Sequence, residues 1–272
     1  MAKRMIYQGR AALVALSVLL LLCFALAASL ALYPSADGSQ VMADQGATMD
    51  MSNLDQGYFM LKHSPTSKRL KMRIIRGSEF YTYDLDAEDR YETFALPFGS
   101  GSYEVQIYKQ VSGKKYSNAA SFAFSASIAD NTLPYLYPNQ YISYTAGSQA
   151  VLTSAALCAG LSSTQEKLDA IRAYIVENIT YDFDLASSVQ SGYLPSVDHV
   201  LDVGKGICFD YAALAACMLR SQGIPTKLEI GYADTVYHAW NSVLINGDWQ
   251  RLDTTAEAND MVVSRYTIER TY

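Results

Sequence analysis

Gly206-Ile207-Cys208-Phe209-Asp210-Tyr211-Ala212 is the stretch whose reading decides the fold. From Cys208 onward Ala212, Leu214, Ala215, Met218 and Leu219 recur at helical spacing, until Gly223 and Pro225 stop the pattern. The spacing predicts a buried helix that opens at a cysteine. A thiol in that position meets unpaired backbone N–H groups and the positive end of the helix dipole, and both stabilise a thiolate. The same N–H groups can hold an oxyanion once the sulfur attacks a carbonyl. Gly204 and Gly206 allow the sharp entry into the helix. Cys217, further along the same helix, projects from the opposite side and reads as a core thiol.

Downstream, Lys227–Tyr232, Ala239–Ile245 and Trp249–Asp253 read as strands, with Asn246-Gly247-Asp248 as a tight turn between the last two. His238 then begins the middle strand after a loop, and Asp253 closes the next one, so the hairpin brings imidazole and carboxylate near each other. Cys208, His238 and Asp253 are the groups a cysteine nucleophile needs: an activated sulfur, an acid/base, and a carboxylate that orients the ring. Trp240 and Trp249 read as core residues of the hairpin, Asp210 and Tyr211 as capping and packing, and His199 as structural.

Upstream, Ser148–Cys158 is a helix candidate. Ser163-Thr164-Gln165-Glu166 is a capping box, followed by Leu168, Ile171, Ile175 and Ile179 at helical spacing. A polar connection with Ser187, Ser188, Ser191 and Gly192 leads to a short helix over Val197–Val203. Before these, residues 57–128 have period two. Arg69-Leu70-Lys71-Met72-Arg73-Ile74 and Tyr103–Ile107 alternate charged or polar with apolar side chains, and Tyr58–Lys62, Phe80–Leu85, Tyr91–Leu96 and Tyr116–Ser125 are further strands. Turn signals separate them, which predicts a small antiparallel β-sandwich. Gly101–Tyr108 resembles a late strand of immunoglobulin-like or fibronectin-like modules. His63, beside Ser64-Pro65, reads as a surface loop residue, and the module as a spacer or substrate-presenting platform.

Residues 34–56, rich in Asp, Ser and Gly and free of basic residues, are expected to be a solvated linker. Lys3, Arg4 and Arg10 precede an uncharged run, Ala11–Tyr33. As a helix the run is roughly 33 Å long, enough for a bilayer core of about 30 Å. The basic flank belongs in the cytoplasm, which sends all later residues outside. Cleavage as a signal peptide at Ala25-Leu26-Ala27 is the alternative, though the run is long for that role.

Composition narrows the rest. A chain of 272 residues, 50% hydrophobic and 18% charged, folds rather than staying disordered. Its formal net charge of −6 gives no basic field for nucleic acid. The four cysteines form no Cys-x-x-Cys pair, so no zinc pattern and no cofactor is implied. Cys158, Cys208 and Cys217 are an odd count outside the membrane, so at least one thiol is free; Cys158, like Cys217, reads as a small core residue, with a Cys158–Cys217 bridge as the alternative.

Residues 160–257 resemble the transglutaminase-like superfamily, which shares the papain-type arrangement of a helix-borne cysteine against a small sheet. The resemblance rests on Gly206–Ala212, Gly223-Ile224-Pro225-Thr226-Lys227, Gly231-Tyr232, His238-Ala239-Trp240, Trp249 and Leu252-Asp253-Thr254-Thr255. It implies Cys208 as nucleophile, His238 as acid/base and Asp253 as its orienter. Thr254 stands where a proline commonly follows the aspartate, and no oxyanion side chain is assignable upstream of Cys208. The expected fold is α+β: a transmembrane helix over 1–33, the linker 34–56, an Ig-like β-sandwich over 57–128, and a transglutaminase-like domain over 129–272. The expected function is an extracytoplasmic, membrane-anchored cysteine enzyme acting on peptide, protein or cell-wall peptide. The alternative is a non-catalytic binding or assembly protein that keeps the fold.

Overall fold

Along Leu70–Arg76 and Gly101–Ser112 one side chain in two is buried, and this alternation builds the first half of the molecule. The computed structural model describes residues 32–272. Eight strands come first: β1 (Val41–Asp44), β2 (Ala47–Asp50), β3 (Tyr58–His63), β4 (Leu70–Arg76), β5 (Glu79–Leu85), β6 (Glu92–Ala95), β7 (Gly101–Ser112) and β8 (Lys115–Ala126). They form two four-stranded antiparallel sheets, ordered β1-β2-β3-β6 and β5-β4-β7-β8. Their inner faces meet through Met49, Phe59, Leu61 and Phe94 on one side and Met72, Ile74, Val105, Ile107 and Phe122 on the other. Phe59 against Phe124 and Tyr83 against Phe94 are edge-on aromatic contacts at 5.9 Å and 5.3 Å.

Two expectations are corrected here. Residues 34–56 are not a structureless linker, because they contain β1 and β2 and bury Ala47, Met49, Met51 and Leu54. The aspartates that suggested solvation work as turn acceptors. Asp50, itself buried, takes the Gly38 N–H at 2.8 Å and the Ser52 N–H at 2.9 Å. His63 is not a surface loop residue. It ends β3, is buried, and lies against Gly46 with Nδ1 at 2.6 Å from the Ser64 carbonyl. The transmembrane segment lies outside the described residues, except that its last two members belong to the folded body. Leu32 packs beside Tyr58, Met60 and Tyr137, and the Tyr33 ring meets Tyr144 edge-on at 6.2 Å. Among the described residues no helix is long and apolar enough to cross a membrane.

A 3₁₀ turn at Leu133–Leu136 leads into the second half, where helices α1 (Gln149–Leu157), α2 (Thr164–Asn178) and α4 (Val197–Val203) surround a central helix, α5 (Cys208–Arg220). Ser163 caps α2 as expected: its hydroxyl accepts the Glu166 N–H at 3.2 Å while Glu166 takes the Ser163 N–H at 3.0 Å. Short α3 (Phe183–Ser188) occupies the stretch read as a polar connection. It follows β9 (Thr180–Tyr181), which pairs in parallel with β10 (Lys205–Gly206). Helix α5 lies on an antiparallel sheet ordered β13-β12-β11-β14, made of β11 (Thr226–Ala233), β12 (Val236–Ile245), β13 (Asp248–Leu252) and β14 (Tyr266–Thr271). The last helix, α6 (Thr254–Ala258), follows β13 directly.

Every residue of α5 from Asp210 to Arg220 is buried. At its end Arg220 has no carboxylate partner. It donates instead to the main-chain oxygens of Thr226 (2.9 Å), Tyr137 (2.5 Å) and Tyr272 (2.9 Å), joining α5 to three separate segments. Burial pulls its guanidinium down to about 10.

Candidate active site

The entry to α5 is locked by one carboxylate. Asp210 is buried and accepts the Ile207 N–H at 2.9 Å on one oxygen and the Tyr193 hydroxyl at 2.7 Å on the other. Ile207 occupies the cap position but has no side chain able to cap, so the reverse half of a capping box does the work alone. Gly206 is required under this carboxylate, since a Cβ there would lie 2.6 Å from the Asp210 Cβ. Burial raises the Asp210 carboxyl, with the Tyr193 hydroxyl and Ile207 N–H acting against it. Cys208 is thus held as the first residue of the helix, half-buried. The N–H groups of Cys208 and Phe209 make no main-chain hydrogen bond among the described residues, as expected of a helix start.

The imidazole stands on a strand rather than at its edge. The turn between β11 and β12 is only Asp234-Thr235, with Asp234 at φ 54°, so β12 starts at Val236 and His238 is flanked by paired backbone. His238 is 4% exposed and its Nε2 lies 2.8 Å from Asp253 Oδ2. With Nε2 engaged by Asp253, Nδ1 is the ring nitrogen that remains, and Cys208 also favours the charged ring. Burial opposes a charged imidazole, but Asp253 and then Cys208 outweigh it and push His238 up to about 9.

Asp253 sits where β13 turns into α6 and serves both. Its Oδ1 accepts the Ala256 N–H at 2.9 Å as the helix cap, while Oδ2 takes His238. Burial raises this carboxyl, yet His238, the Ala256 N–H and the Tyr266 hydroxyl more than compensate and hold it below the ordinary range. Thr254 falls at the first helical position, which suits proline as well, so this departure from the family pattern is structurally mild.

Sequence reasoning missed Tyr193, which braces Asp210, and Tyr266, whose hydroxyl donates to Asp253 Oδ2 at 2.8 Å. Tyr266-Thr267-Ile268-Glu269-Arg270-Thr271 carries two β-branched threonines and an isoleucine, a strand signal that was legible but unread. Trp240 is a core residue as expected, and it also packs beside both site rings. It lies 6.1 Å from His238 and meets Tyr266 edge-on at 4.9 Å, with Nε1 donating to Glu229 at 2.8 Å. Tyr237 precedes His238 on β12 and is 59% exposed. Cys158, Cys208 and Cys217 are free thiols; Cys158 and Cys217 are buried, and burial pushes both upward. His199 is exposed on α4.

Two cavities lie apart from the sulfur. One, of about 830 Å³, runs between the sandwich and residues 194–196; the other, of about 490 Å³, is lined by Tyr135, Lys227 and Trp249. Among the described residues no group of three or more His, Cys, Asp and Glu side chains is placed to hold a metal ion.

Among solved structures the chain is similar to a candidate cysteine protease from Cytophaga hutchinsonii, at 18% identity over 73% of this chain and 78% of that one, with a TM-score of 0.40. It is also similar to a TGase, at 19% identity over 53% of this chain and 43% of that one, with a TM-score of 0.35. Legionella pneumophila LapG matches at 16% identity over 40% of this chain and 65% of that one, with a TM-score of 0.34. No curated protein matches the chain. The model of the transglutaminase-like superfamily matches residues 153–254, a span that contains Cys208, His238 and Asp253. These residues form a transglutaminase-like domain.

Proposed function

We propose that the chain is a cysteine acyl-transfer enzyme acting on peptide or carboxamide bonds, with Cys208 as nucleophile, His238 as acid/base and Asp253 as orienter. The observation that carries this reading is the buried 2.8 Å contact between His238 Nε2 and Asp253 Oδ2, formed beside a cysteine at a helix N-terminus. The Cys208 thiolate attacks the carbonyl carbon, forming a C–S bond, and the oxyanion is met by the Cys208 and Phe209 N–H groups. Collapse breaks the C–N bond, and the proton held on His238 Nδ1 passes to the departing amine. Water gives hydrolysis and a second amine gives transfer. Either one attacks the thioester and returns the proton to His238 and the sulfur to its thiolate. Asp253 holds the ring in one tautomer throughout and stays ionised.

The charged flank of Lys3, Arg4 and Arg10 before the uncharged run supports a membrane-anchored protein with its folded body outside the cytoplasm. Extracytoplasmic peptide, protein or cell-wall peptide is then the substrate pool.

Selective labelling of Cys208 alone tests little, because Cys158 and Cys217 are shielded by burial. The decisive measurement is the rate of iodoacetamide alkylation of Cys208 against pH, in the parent and in His238→Ala. The reading expects His238→Ala to slow alkylation at neutral pH by about tenfold or more. Equal profiles refute it. Product analysis with peptide and amine donors, using Cys208→Ala as the blank, separates hydrolysis from transfer. Full function retained in Cys208→Ser would favour a non-catalytic binding role instead.

A further inference from the structure

Strand β14 lies beyond the segment matched by the family model, yet it supplies a group to the candidate site. Asp253 Oδ2 accepts two hydrogen bonds of equal length, 2.8 Å from His238 Nε2 and 2.8 Å from the Tyr266 hydroxyl. A carboxylate oxygen that shares its lone pairs between two donors is fixed in direction, and it pulls less strongly on either donor.

Tyr266 is itself placed from three sides. Its ring meets Trp240 edge-on at 4.9 Å, and the Arg251 guanidinium lies over it at 4.1 Å. The residues just before it are clamped by the β11–β12 turn, where the Asp234 carboxylate accepts the N–H groups of Ser264 (3.2 Å) and Arg265 (2.9 Å). The strand is then brought close by Gly231, the register partner of His238, because a Cβ at Gly231 would lie 1.9 Å from the Thr267 carbonyl oxygen.

Resting on the cysteine-enzyme reading above, we infer that Tyr266 is a positioning residue for that reaction, which aims Asp253 Oδ2 at His238 and tempers its charge. A proton donor works best when its own affinity for the proton lies near the working pH. His238 already binds its proton tightly, and an Asp253 oxygen relieved of Tyr266 would bind the imidazolium more tightly still. The side chains that act on this pair are Cys208 from α5 and Tyr266 from β14, while Arg251 from β13 and Asp234 from the turn act on Tyr266. Tyr266 donates to the pair directly.

The test is Tyr266→Phe in the full chain, which deletes the hydroxyl and keeps the ring contacts. Its readout is the His238 ring titration by NMR, assigned against His238→Gln. The inference expects the midpoint to rise by about half a pH unit, with a parent-like thermal melt. A midpoint within about 0.1 unit of the parent, or a lower one, overturns it. Tyr266→Ala, which also removes the ring, reports packing separately through the melt. This titration needs no substrate, so it stands or falls apart from the enzyme reading, which the Cys208 alkylation profile decides.

Discussion

Replacing Asp253 by Asn should reverse the sign of the charge coupling at the site. In the parent, His238 is displaced from an ordinary 6.5 to about 9, which corresponds to about 3 kcal/mol of preference for the folded imidazolium. A raised folded value means that this stability is fully present below pH 6.5 and is lost as pH rises through about 9. Asn keeps an oxygen for the Ala256 N–H cap but carries no charge, so burial, the largest single influence on His238, is opposed by Cys208 alone. The ring should then titrate below its ordinary value, and the alkaline loss of stability should disappear. Urea unfolding at about pH 6 and about pH 9, with the His238 titration followed by NMR, measures both effects. The difference between parent and variant should approach about 3 kcal/mol at the acid end and vanish at the alkaline end. If Asp253→Asn still titrates above about pH 8, or loses stability with pH as the parent does, the pairing does not govern His238.

Gly231→Ala places a methyl against main chain that cannot yield, and should cost about 3 kcal/mol or more while detaching β14, measured by denaturant midpoint and proteolysis near residue 262. Arg220→Met leaves three buried main-chain oxygens without their donor and should cost about 3–5 kcal/mol in the same assay; a loss under about 1 kcal/mol would show that water replaces the guanidinium. Thr254→Pro, at the first position of α6, should stay within about 1 kcal/mol of the parent; a larger loss would mean that the Thr254 side chain, not the helix start, is what the site requires.

The placement of the candidate site residues was more legible than their scaffolding. Cys208, His238 and Asp253 were readable because each sits at a boundary that local pattern marks: glycines before a helix, and an Asn-Gly turn, here with Asn246 at φ 53° and Gly247 at φ 91°. The six predicted sandwich strands were equally plain, since alternation and turn residues agree there. What escaped was written in residues with two meanings. Asp37 and Asp50 look like solvated linker but accept turn N–H groups, with Asp50 buried at the end of β2. Ser187 and Ser188 look like loop but return their hydroxyls to the Asp184 carbonyl inside α3. Tyr193 and Tyr266 act over long sequence separations, bonding Asp210 and Asp253, and no local pattern carries that information.

The packing of residues 32–36 has a mechanical result. Leu32 and Ala36 are pressed on the outer face of β3, the Ser35 N–H is bonded to the Tyr58 hydroxyl, and the Ser35 carbonyl takes Asn53 Nδ2. Residues 32–36 are therefore held to the sandwich at several points, so the described chain enters the folded body at a fixed place on the outer face of β3.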